Sequence, residues 1–211
     1  MTTLILMRHG ETLSNIRQIY QGQGDGELSP LGIEQARHAS RFLKDTGICA
    51  VYCSDLQRAV NTAKMIAKPH GLRVRPLKDL RERFYGKWEG KKFSELEKEY
   101  GKLYKLWLVH PNRAGIPGAE KLRALQKRGV RAIEKIVRTH RNKTVLVVAH
   151  GGMNRAILFS YLGLDLNSFW KIRQENCCIN IIRFMAPYPK ITLLNSTSHL
   201  GKERLKENAL S

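Results

Sequence analysis

Nowhere in the 211 residues does an apolar run approach the roughly 18 needed to cross a bilayer, so no membrane span is expected. The amino-terminal stretch does not pair a charged segment with an apolar one, as a secretory leader would, and a cytoplasmic location is expected. Cysteine is scarce. Cys49, Cys53, Cys177 and Cys178 form no Cys-x-x-Cys pair, and adjacent Cys177 and Cys178 would face opposite sides of a strand. They read as free thiols in a reducing compartment. No His, Asp and Glu set has metal-ligand spacing, so neither a metal nor another cofactor is expected. The glycine-rich stretch Tyr20–Gly26 lacks the G-x-x-x-x-G-K-[ST] spacing of a nucleotide cradle. An Asp-x-Asp near the start, which an aspartate-nucleophile phosphatase would want, is also missing. With no repeat, low-complexity block or linker, one domain over residues 1–200 and a charged tail over 201–211 are expected.

Acids are few as well. Eighteen Asp and Glu stand against 37 Lys and Arg, for a net charge of +19. The cations are spread along the chain, with local runs at Lys121–Arg131 and Arg138–Lys143 and no detached basic tail. This pattern fits a solvated basic surface that draws in small anions, rather than a nucleic-acid binder.

What is present organises around Leu4-Ile5-Leu6-Met7, which reads as a short buried strand. It delivers Arg8 and His9 to its carboxyl end, where Gly10 permits a sharp exit. A histidine there can attack phosphorus, and an arginine beside it can hold phosphate oxygens. Ser29-Pro30 starts a helix with a capping residue and a proline in the first turn, and Gly47 ends it. Ala50–Cys53 is a second strand, running into a helix through Ile66 that Ser54 or Asp55 could cap. Arg58 falls in the first turn of that helix, against the dipole preference, which hints at an anion between them. Leu72–Pro76 predicts a strand, Phe93–Tyr100 and Leu103–Leu108 short helices, and the segment after Glu120 a long amphipathic helix to about His140. Thr144–Ala149 is the strongest strand, ending at His150-Gly151-Gly152, with a helix from Met153 to Leu162. Cys178–Phe184 and Ile191–Leu194 complete the strands. Strands alternating with helices predict an α/β fold, a three-layer α/β/α arrangement with a mostly parallel central sheet.

In an open parallel sheet, ligands bind beyond the carboxyl ends of the strands. Arg8, His9, Arg58 and His150 are therefore expected to converge. Five segments carry a resemblance: Arg8-His9-Gly10-Glu11-Thr12; Ser54-Asp55-Leu56 with Arg58-Ala59 and Thr62-Ala63; Leu80-Arg81-Glu82; Gly86 with Trp88-Glu89-Gly90; and Ala149-His150-Gly151-Gly152. In these, the chain resembles the histidine phosphatase superfamily, also called phosphoglycerate mutase-like. The resemblance implies His9 as nucleophile, forming a phosphohistidine, with Arg8, Arg58 and His150 on the three equatorial oxygens. It implies Glu82 as proton donor to the leaving alcohol and base for water. Asn15 would add a neutral phosphate contact and Gly151 a backbone N–H, while Gln21 and Gly22 would close over the phosphate. Trp88 is expected to support the Glu82 loop. Arg81 and Arg83, on either side of Glu82, are expected to be solvated or turned to substrate.

Family members divide into phosphatases and cofactor-dependent phosphoglycerate mutases. Mutases usually carry an aromatic-bearing Thr-Gly-Trp segment after the nucleophile. Here the region reads Gln21-Gly22-Gln23-Gly24-Asp25, more open to water, which favours hydrolysis of the phosphohistidine; the mutase is the alternative. The resemblance extends to α-ribazole phosphatases, broad-specificity phosphatases and metal-independent phosphoserine phosphatases. Related phosphatases often show Pro-Gly-Gly-Glu-Ser where this chain has Pro117-Gly118-Ala119-Glu120-Lys121. That change removes a helix cap and adds a cation. His199 is a candidate reader of a substrate carboxylate at the pocket rim. The implied partner is a small phosphorylated metabolite, with no nucleic acid, no membrane, and a homodimer as the candidate assembly.

Overall fold

A computed structural model describes residues 1–201; apart from Gly201, the expected charged tail lies outside the described residues. The elements run in order β1 (Thr2–Arg8), α1 (Leu13–Ile16), α2 (Pro30–Leu43), β2 (Ile48–Ser54), α3 (Gln57–Ala67), β3 (Val74–Leu77) and α4 (Phe93–Val109). They continue with α5 (Leu122–Thr139), β4 (Thr144–Ala149), α6 (Gly151–Leu162), β5 (Ile179–Phe184) and β6 (Lys190–Ser196). One six-stranded sheet has the order β3-β2-β4-β1-β5-β6. Its β3, β2, β4 and β1 are mutually parallel, and β5 and β6 pair antiparallel at one side.

The central strands β1, β2 and β4 are largely apolar because both sheet faces are covered there. Leu4 and Leu6 of β1, with Val145 and Val147 of β4, face α5 and α6 through Leu125, Ile133, Met153 and Ile157. Ile5 and Met7, with Leu146 and Val148, face α2 and α3 through Ala36, Ala39, Ala63 and Ile66. This is the expected three-layer α/β/α arrangement.

Differences from the sequence reading are local and have physical causes. Ser29 caps α2 as expected, its Oγ accepting the Gly32 N–H at 3.0 Å. Neither Ser54 nor Asp55 caps α3: the N-cap position is Leu56, without a side-chain bond. Ser54 Oγ instead accepts the Leu56 N–H, and both Asp55 oxygens take N–H groups of Arg81 at 2.7 Å. The two short helices form one stretch broken at Gly101, whose backbone is non-helical (φ 6°, ψ −80°). The last helix starts at Gly151, because the chain turns directly off His150.

The β1 exit is held against the start of α2. A Cβ on Gly32 would lie 2.0 Å from the Glu11 carbonyl oxygen, and one on Gly10 would lie 2.5 Å from that of Gly32. Alanine in a helix normally gains about 1 kcal/mol over glycine. Here backbone must move, so Gly32→Ala is expected to cost about 2 kcal/mol instead. A urea unfolding midpoint that falls, rather than rises, checks the sign.

Candidate active site

The pairing of β1 with β4 places Arg8 opposite Ala149. Each strand then continues into a histidine, and the His9 N–H donates to the Ala149 carbonyl at 3.0 Å. The His9 and His150 rings consequently stand with centroids 5.1 Å apart. His9 Nδ1 lies 2.7 Å from the Gly10 carbonyl oxygen. A carbonyl only accepts, so this contact assigns the proton to Nδ1 and leaves Nε2 with its lone pair.

Both guanidinium groups are braced by backbone carbonyls. Arg58, on the first turn of α3, donates to Gly22 O and Gly24 O at 2.7 Å each. The glycine-rich stretch is thereby tied down rather than left as a free loop. Arg8 donates to Gln174 O at 2.6 Å. Carbonyl partners satisfy the N–H groups but cancel no charge, so the centre is cationic. Burial, then Arg58, then Arg8 drive the His9 pKa well below the ordinary histidine value. Burial followed by Arg58 does the same to His150. Arg58 itself is pulled down by burial to about 10 and stays charged at neutral pH. Neither ring nitrogen of His150, nor Nε of Arg8 or Arg58, has a partner among the described residues.

Glu82 closes the other side. Its carboxylate receives the N–H groups of Arg83 at 2.8 Å, Met153 at 3.1 Å and Gly152 at 2.9 Å. Two of those are the opening donors of α6, so its dipole also favours a carboxylate at this point. Gly152 is a requirement of this contact, since a Cβ there would lie 2.4 Å from Glu82 Oε1. With Gly152 and Met153 committed, the Gly151 N–H is the donor of that helix end available to an anion. Arg128 of α5 binds the carbonyls of Asp79, Arg81 and Glu82, and fixes the loop from behind. Trp88 is fully buried against Tyr20, Tyr100 and Tyr104, as packing support.

A cavity of about 110 Å³ is lined by Arg8, His9, Asn15, Gln21, Gly22, Arg58, Glu82 and Gly151, with His150 buried beside it. Asn15 Oδ1 is occupied by Thr12 and Asn176, leaving its amide N–H groups without a partner among the described residues. The Gln21 amide is tethered to Thr12 Oγ1 at 2.8 Å.

His199 is not brought to this cavity. Its ring lies 5.4 Å from that of Phe42, on the last turn of α2. His199 follows the end of β6, where Ser196 pairs with Ile179, and it is not among the residues that line the cavity. Arg81 is paired with Asp55 rather than solvated, and Arg83 is buried, 2 % exposed, with its Cζ 4.5 Å from the Trp107 ring centroid.

Several supporting residues were given no role from the sequence. Gln174 carries the Arg8 carbonyl brace and is held through its amide by Asn180. Glu89 Oε1 binds the N–H groups of Gln23 and Tyr85, pinning the glycine-rich loop to the Glu82 loop. Arg155 lines the cavity over the Trp170 ring at 4.8 Å. Its place one and a half turns into α6 could have suggested this, since long helical side chains lean toward the N-terminus. Among the described residues no group of three or more His, Cys, Asp or Glu is placed to hold a metal, and no helix is long and apolar enough to cross a membrane.

Comparison with known proteins gives the family. The family model for the histidine phosphatase superfamily (branch 1) matches residues 4–197. The chain is 38 % identical to a metal-independent phosphoserine phosphatase of Arabidopsis thaliana, covering 95 % of this chain and 84 % of that protein. It is 30 % identical to the adenosylcobalamin/alpha-ribazole phosphatase of Escherichia coli, covering 92 % and 95 %. An Entamoeba histolytica phosphoserine phosphatase mutant, solved in complex with phosphoserine, superposes with a TM-score of 0.86 at 30 % identity, covering 95 % and 100 %. The chain therefore belongs to branch 1 of the histidine phosphatase superfamily, and its activity is that of a phosphatase.

Proposed function

We propose that the chain hydrolyses small phosphomonoesters, without a metal, through a phosphohistidine on His9. The observation that carries this reading is the His9 Nδ1 contact with Gly10 O, which leaves Nε2 as a neutral nucleophile beside two fixed guanidinium groups. Nε2 attacks phosphorus in line with the leaving oxygen, and the P–O bond to the alcohol breaks as the N–P bond forms. Arg8, Arg58 and one N–H of neutral His150 hold the equatorial oxygens, with Asn15 and the Gly151 N–H as neutral donors and the Gln21–Gly22 turn closing over them. Glu82 is the proton donor to the departing alkoxide. It then takes a proton from water, whose oxygen attacks phosphorus and breaks the N–P bond, releasing phosphate. Phosphoserine and α-ribazole phosphate are the substrates favoured by the named activities of the relatives. The basic surface speeds anion arrival, so added salt should lower kcat/KM while leaving kcat largely unchanged.

The test is an alkali-quenched reaction with ³²P-labelled phosphoserine in EDTA. Wild type should release phosphate and show an alkali-stable, acid-labile phosphoenzyme; His9→Ala should show neither. Label passing to a second phosphoglycerate instead of water would replace hydrolysis by the mutase reaction. Glu82→Gln should slow phosphoenzyme formation from phosphoserine by about 10²–10⁴. The loss should be smaller with p-nitrophenyl phosphate, whose phenolate leaves without a proton. Equal losses on both would remove Glu82 as the acid.

The lowered His9 pKa sets the acid limb of kcat/KM. His9 must be neutral to attack, and burial among arginines keeps it neutral to lower pH than a free imidazole. The limb is therefore expected below pH about 6.5. A limb above that value in a pH–rate profile would contradict the assignment.

A further inference from the structure

A second cavity, of about 510 Å³, opens between residues 111–116 and the start of α5. It shares no lining residue with the catalytic cavity: Tyr85 faces the catalytic one and Arg83 faces the second, with Arg83 Cζ 5.2 Å from the Tyr85 ring centroid. The lining carries Arg83, Arg113, Lys121 and Arg123 against a single acid, Glu120. That acid is already engaged, since both its carboxylate oxygens accept N–H groups of Arg128 at 2.7 and 2.8 Å. Arg113, Lys121 and Arg123 make no ion pair among the described residues.

Two independent features point to an anion here. The first is Arg83, a cation only 2 % exposed, anchored through Nε to Glu120 O at 2.8 Å. Its Nη1 is buried without a hydrogen-bond acceptor among the described residues. The second is the opening of α5. Its N-cap is Lys121, with no side-chain bond to the helix, its first turn holds no acid, and Arg123 sits in it. The first N–H groups of a helix and its dipole call for negative charge, and cations there are unfavourable by themselves. An anion at this point would satisfy the free N–H groups, the orphaned Nη1 and the unpaired side chains together.

We propose that this cavity is a second anion site, distinct from the catalytic pocket, for the phosphate group of a small phosphorylated molecule. Arg83 and the first N–H groups of α5 hold the oxygens, and Arg113, Lys121 and Arg123 supply the charge. The volume lies in the range of about 300–1,000 Å³ typical of small-molecule pockets, so it has room for more than the phosphate alone.

Equilibrium dialysis with ³²P-labelled inorganic phosphate tests this directly. Wild type should bind two phosphates per chain. The triple variant R113Q/K121S/R123Q should bind one, in the catalytic pocket, with its KM for p-nitrophenyl phosphate changed by no more than about threefold. These three side chains are exposed, and Lys121→Ser supplies a capping residue, so the variant is expected to fold. Arg58→Gln should likewise retain one phosphate, and the combined variant none. A single phosphate on wild type, or two on the triple variant, would overturn the proposal. So would loss of a phosphate in the control K135Q/R138Q/R141Q, which removes the same charge at the other end of α5 and would mark mere attraction to a basic surface.

Discussion

The parallel pairing of β1 with β4 is the contact on which the rest depends. It sets Arg8 opposite Ala149, and each strand steps next into a histidine. Two imidazoles thus share a buried space with two guanidinium groups, an arrangement that would repel itself if the rings were protonated. Burial and the arginines keep both rings neutral. The guanidinium groups keep their charge, braced by the carbonyls of Gly22, Gly24 and Gln174, which orient them without neutralising them. The cationic groups are consequently held in fixed positions, which is the preorganisation that the proposed phosphoryl transfer requires.

The Glu82 side uses a different device. Glu82 comes from a loop, and a loop alone would not hold a carboxylate to the accuracy that the proposed proton transfer needs. The start of α6 supplies two N–H groups, Arg128 clamps three loop carbonyls, and Glu89 ties the loop to the glycine-rich turn at Gln23. His150 and Glu82 thus both depend on the same short stretch of chain, the turn from β4 into α6. Glycine at 152 follows from that crowding.

Much of this was legible from residue order. Continuous apolar runs marked β1, β2 and β4, because strands covered on both faces need no polar side. Ser29-Pro30 marked the start of α2 through local capping chemistry, and the break between the expected helices Phe93–Tyr100 and Leu103–Leu108 falls where the structure has its kink. Arg8, His9, Arg58 and His150 stood out because each directly follows or ends such a run, or opens the next helix. Helix α3 shows the limit of that reading. Asp55 looks like a cap from its neighbours, but Arg81, distant in sequence, takes both its oxygens. His199 was misplaced for the same reason, since nothing near it in the chain says that it lies on Phe42.

By itself, the sequence determined most of the strands and helices and marked the candidate reactive groups, since these follow from local periodicity, caps and side-chain chemistry. Tertiary structure alone decided which carbonyl braces each guanidinium, that Glu89 ties two loops together, and that Gln174, Asn180 and Arg128 support the site from segments without any motif. It also decided that Arg83 turns away from the catalytic pocket into a second cationic cavity. The physical reason is the same in each case. A buried donor must find an acceptor, and the acceptor it finds is chosen by how distant segments meet, which no local pattern encodes.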